Sequence, residues 1–160
     1  MTKADASLKS LTLHFAGLFI LFTAVLIALL VALEVFLGFT MENNVMGLII
    51  PIIVAMQIGT IYFNRTGQRP TPSFSWKAAL SFATTSVVLS FVLIAVMYLL
   101  GLRPEIDALL AEPGSPPIIL GVTAFLWLLL LLGCRFTFAA GAKQGQKLQE
   151  KTAKRKASRD

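Results

Sequence analysis

The chain has 160 residues, enough for one domain, yet 56% of them are hydrophobic and only 14% charged, with mean hydropathy +0.78 and a net charge of +6. That balance lies outside the range of soluble globular domains. A single cysteine and a single histidine exclude a disulfide framework and leave no cluster of His and Cys for a metal site.

Residues 1–10 form a polar amino terminus with Lys3 and Lys9. The first apolar run, 11–37, exceeds the roughly 7–15 residues of a signal-peptide core and lacks a small-residue cleavage site, so it reads as a retained helix. His14 lies near its start. Glu34, near its end, is the only carboxylate inside an apolar run. At a helix centre an acid costs about 2.5–3.5 kcal/mol and marks a proton relay or a binding site. Four residues before Gly38, Glu34 can instead reach interfacial water, a role that suits its position better.

The second run spans 45–63. Pro51 stands four residues after Gly47, where a missing Cβ leaves room for a bend. Gln57, Thr60 and Asn64 follow at i, i+3 and i+7, on one helix face. The connection that comes next, FNRTGQRPTPSFSWK, is polar and basic. Arg65, Arg69 and Lys77 charge it, Tyr62 and Trp76 suit the headgroup level at its two ends, and Gly67, Pro70 and Pro72 predict a break in the helix. Asn64–Arg65–Thr66 also fits a glycosylation sequon, which an inward-facing loop would leave unused.

The third run, 78–101, opens with Ser81, Thr84 and Thr85 and carries a stripe of small residues, Ala79, Ala83, Ser86 and Ser90. In the connection 102–117, Pro104, Glu105 and Asp107 predict a short helix, and Ser115 with Pro116 and Pro117 predicts the start of the next long one. The fourth run, 118–140, includes Trp127 and Arg135. Gly133, Thr137, Gly141 and Gly145 recur every four residues, a pattern that allows close helix approach within the chain or between copies. The tail 143–160 holds Lys143, Lys147, Lys151, Lys154, Arg155, Lys156 and Arg159 and almost no apolar residue. It reads as a solvated, orienting tail, with attachment to anionic lipid as the alternative.

Four runs of about 20 apolar residues match a bilayer core about 30 Å thick, and their all-round hydrophobicity excludes the alternating strands of a barrel. The predicted fold is therefore all-α, an integral membrane four-helix bundle occupying 11–142. Thirteen of the 14 Lys and Arg fall on the side shared by the two termini and the central loop, leaving Arg103 alone on the other. By the positive-inside rule both termini are cytoplasmic.

The aromatic and basic helix end at Phe63–Arg65, the Arg69–Pro70 pair, the Ser/Thr-bearing third helix and the basic tail together resemble the ABZJ family of uncharacterised small four-helix bacterial inner-membrane proteins. The resemblance implies a bacterial inner membrane and carries over no activity or site residues.

His14, Gln57, Thr60, Asn64, Ser81, Thr84, Thr85 and Arg135 all fall in the inner half of the four runs. They predict either a small polar pocket facing the cytoplasm or ordinary hydrogen bonds between helices, the plainer reading. With no Ser-His-acid set, no metal-ligand spacing and no phosphate-cradling glycine loop, no catalytic role and no cofactor are predicted. No aromatic interleaving in the tail supports nucleic-acid binding. The expected partners are the lipid bilayer and either another membrane protein or further copies of the chain. Two functions fit: a non-enzymatic accessory or interaction protein or, as the alternative, an oligomeric transporter of a small solute.

Overall fold

A computed structural model of the chain describes residues 7–37, 46–101 and 114–157. They form four α-helices, α1 (Leu8–Leu37), α2 (Met46–Thr66), α3 (Pro72–Leu99) and α4 (Ser115–Ala157). All four are long and apolar enough to cross a membrane.

Local signals set the helix ends. Ser7 opens α1, its hydroxyl accepting the Ser10 N–H at 3.3 Å. Gly67 closes α2 in the left-handed region, φ +67°, with its N–H on the Phe63 carbonyl at 2.7 Å. After only four more residues Thr71 caps α3, accepting the Phe74 N–H at 3.3 Å, and Pro72 takes the first helical position. Helix α3 thus begins six residues before the expected 78, because Pro72 starts the helix instead of breaking it. Trp76 and Lys77 belong to its first turns.

The larger departure is α4. It runs 43 residues, about 64 Å at 1.5 Å per residue, roughly twice the thickness of a bilayer core. The basic tail is its continuation. Ala142 and Gly145 are buried against the bundle, and Gln146 accepts the Arg69 Nε–H at 2.7 Å, so packing carries the helix past residue 140. Lys, Gln, Glu and Ala beyond that point are good helix formers.

Cross-helix contacts fix the topology. Ile52 meets Gly133 and Phe63 meets Gly145, so α2 and α4 run parallel. Thr84 meets Trp127 and Trp76 meets Arg135, so α3 and α4 run antiparallel. Around the bundle the order is α1, α2, α4, α3, with α2 and α4 in the most intimate contact. Glycine explains that intimacy. A Cβ on Gly59 would collide with the Phe138 carbonyl oxygen, and one on Gly141 with the Met56 carbonyl oxygen. Gly133, Gly141 and Gly145 are therefore spent on packing within the chain.

The core lies toward the end that holds the start of α1 and the 67–71 connection, hereafter the basal end. Phe15 stacks on Phe82 with ring centroids 4.5 Å apart, Phe82 meets Phe138 edge-on at 5.7 Å, and Tyr62 and Phe74 complete the cluster. Ala79, Ala83 and Ser86 of the small-residue stripe are buried in α3, while Ser90 is half-buried. Toward the opposite, distal end burial falls away. No described residue of α1 beyond Phe19, of α3 beyond Ser86 or of α4 before Leu130 is buried. Helix α2 passes through Pro51, which is buried and whose carbonyl lies 3.9 Å from the Cys134 Sγ.

Candidate functional site

The polar side chains read as either a shared pocket or hydrogen bonds between helices are divided among four helix seams at the basal end. Between α1 and α2, Arg65 donates to His14 Nε2 at 2.9 Å and to the Ser10 hydroxyl at 3.4 Å. A guanidinium has no acceptor, so Nε2 is the bare nitrogen and Nδ1–H donates to the Ser10 carbonyl at 2.7 Å. Between α1 and α3, Thr12 gives its proton to the Leu8 carbonyl at 2.9 Å, and Ser81 therefore donates to Thr12 at 2.8 Å.

Between α2 and α4, the Thr60 hydroxyl donates to the Gly141 carbonyl at 3.1 Å, beside the glycine crossing. Asn64 accepts a long bond, 3.5 Å, from Gln149. Between α3 and α4, the Trp127 indole donates to the Thr84 hydroxyl at 3.3 Å. One helical turn or more toward the basal end, Arg135 lays its guanidinium over the Trp76 ring, 4.1 Å from the centroid, and 5.4 Å from that of Phe136. A cation on an aromatic face is attracted by the ring quadrupole, which favours this placement of Arg135 at a half-buried position.

Gln57 and Thr85 make no side-chain hydrogen bond among the described residues, and Gln57 is exposed on the flank of α2. Thr137 bonds back to the Gly133 carbonyl of its own helix at 2.8 Å. The Glu34 side chain, Arg159 and the short helix expected at 104–110 lie outside the described residues. Among the described residues no group of three His, Cys, Asp or Glu is placed to hold a metal ion.

Two clefts flank the bundle. One, about 330 Å³, lies in the distal half between Leu48 of α2, Ser90 and Phe91 of α3, and Thr123 and Leu126 of α4, and is almost wholly apolar. The other, about 380 Å³, lies at the basal end between α1 and α3, and of the eight pocket candidates only Ser81 lines it. Sequence reasoning missed Gly59, Ser10 and Thr12. The spacing of Ala55 and Gly59, four apart on α2, was the readable signal for the crossing.

Every Lys and Arg among the described residues stands at the basal end or on the α4 extension beyond it. Among the described side chains, charge is thus polarised along the bundle axis, with cations at the basal end and no charged group along the distal half. Comparison with protein-family models, with curated proteins and with solved structures found no match to the chain.

Proposed function

We propose that the chain is a small multi-pass protein of a bacterial inner (plasma) membrane, with both termini and the 67–71 connection in the cytoplasm. It works there without catalysis, as an accessory or interaction subunit. The orientation is supported by the 13-to-1 partition of Lys and Arg between the two sides. The bacterial origin is supported by the resemblance to the ABZJ family.

One observation carries the interaction role. Helix α1 is buried only at Leu11, Phe15 and Phe19 in its first turns, and no described side chain among the 18 residues that follow is buried, which leaves a long apolar stretch largely exposed within the chain. A span that long is more than anchoring requires of a bundle that already has three other crossings. The distal half offers exposed apolar faces on α1, α3 and α4 to a neighbouring helix. Most of the polar residues, by contrast, are engaged in seams averaging about 0.6 kcal/mol per interhelical bond, which suits holding the basal half together.

The test is purification of the tagged chain in mild detergent, at native expression level in its own host, followed by mass determination of everything retained. A stoichiometric foreign membrane protein is the expected result. Recovery of the chain alone, as a monomer or a homo-oligomer, overturns the accessory role.

A further inference from the structure

Helices α1 and α3 run in the same direction and meet along a seam. Its core side is closed by the Phe15–Phe82 stack, while its outer side holds the 380 Å³ basal cleft. Leu8, Leu13 and Ala16 of α1 wall this cleft, and Thr12 and Ser81 form its polar floor. Both floor hydroxyls already have partners, in the chain from Ser81 to Thr12 to the Leu8 carbonyl. An apolar occupant can therefore lie in the cleft without leaving a buried donor unpaired.

The rim is different in kind. Lys9, one turn before Thr12, lines the mouth, and Lys77 is exposed one turn before Ser81, on the same face of α3. Neither has an ionic partner among the described residues, where the only carboxylate side chain is that of Glu150, bonded to Gln146 on α4. Two cations without an ionic partner among the described residues thus stand above a slot with apolar walls, at the level where Tyr62 and Trp76 mark the basal end of the bundle.

We propose that the α1–α3 cleft binds one anionic phospholipid, its phosphate held between Lys9 and Lys77 and an acyl chain lying against Leu13 and Ala16. This rests on the orientation proposed above, which puts the basal rim at the headgroups of the inner leaflet. Lysines are suited to the task, because a compact ammonium on a flexible stem follows a mobile headgroup without fixed fork geometry. Each cation near the surface favours anionic lipid about fivefold, so the pair gives a preference of about 25-fold over zwitterionic lipid.

The full chain, purified in mild detergent, is titrated with phosphatidylglycerol or phosphatidylcholine, and bound lipids are counted by native mass spectrometry. One phosphatidylglycerol is retained about 25-fold more tightly than phosphatidylcholine. The pair Lys9→Gln and Lys77→Gln abolishes that preference with helical content unchanged, and Ala16→Phe, which fills the slot and keeps both charges, lowers retention. Lys143→Gln with Lys147→Gln on α4 leaves it intact.

Equal retention of the two lipids, an unchanged preference in the Lys9 and Lys77 variant, or displacement of the lipid by inorganic phosphate overturns the site. Labelling of Lys9→Cys with an impermeant maleimide separates this from the orientation. Reaction from outside the cell overturns both, whereas protection from outside together with equal lipid retention overturns the site alone.

Discussion

Gly141→Ala tests the glycine crossing of α2 and α4. The added methyl would strike the Met56 carbonyl oxygen and lie 2.8 and 3.1 Å from the Met56 carbonyl carbon and Cα, where ordinary contact begins at 3.4 Å. These are backbone atoms, so no side chain can swing aside and the helices must part. Overpacking costs about 1–3 kcal/mol, and a backbone collision belongs at the upper end. Parting also weakens the Thr60 bond to the Gly141 carbonyl, worth about 0.6 kcal/mol. Against this, Ala is favoured over Gly in a helix by about 1 kcal/mol. The net loss is about 2.5 kcal/mol.

Gly17→Ala and Gly121→Ala provide the internal control. A Cβ at either position meets nothing within 4 Å, so both variants gain up to about 1 kcal/mol from helix propensity. Unfolding in mixed micelles, followed by circular dichroism against the mole fraction of SDS, measures all three on one scale. Gly141→Ala should fall about 3 kcal/mol below the controls. If it unfolds at the same SDS fraction as Gly17→Ala, the close crossing is refuted.

Other variants probe other layers. Phe82→Ala empties a fully buried position between Phe15 and Phe138 and should cost about 3–5 kcal/mol in the same assay, while Phe36→Ala, at a site 83% exposed, should cost close to nothing. A double-mutant cycle of Arg135→Met with Trp76→Leu should give a coupling of about 0.5–1 kcal/mol, and a coupling of zero would remove the cation–π contact. The cycle of Thr12→Val with Ser81→Ala should give about 0.6 kcal/mol, and additive losses would mean the two hydroxyls do not meet. Amide exchange should show helical protection at Lys147, and exchange there at random-coil rates would contradict the continuation of α4 into the tail.

The number and approximate places of the described helices were legible because each contains an unbroken apolar run long enough to cross a bilayer. The start of α3 was legible in principle. Thr71 followed by Pro72 is a cap and first turn, but two prolines close together read as a broken loop. The continuation of α4 was hidden because a helix polar on all sides has no periodic signature. What extends it is contact with the end of α2, through Gly145 on Phe63 and Gln146 on Arg69, and such contacts depend on which helices are neighbours.

That same dependence explains the candidate site. The polar residue types and their common depth could be read from spacing along each helix. Their partners could not, because the side-by-side parallel placement of α2 and α4 is set by Gly59 and Gly141 together. Once those helices close on each other, Thr60 faces a backbone carbonyl and Gln57 turns outward, and the two part company although they lie three residues apart.

The proposed placement puts the polarised bundle in a membrane, cationic end inward. Fusing a fluorescent protein and, separately, an alkaline phosphatase to the carboxyl terminus in a bacterial host tests it most directly. A fluorescent first fusion and an inactive second are predicted. A dark first fusion with an active second would put the basic end outside and contradict the account.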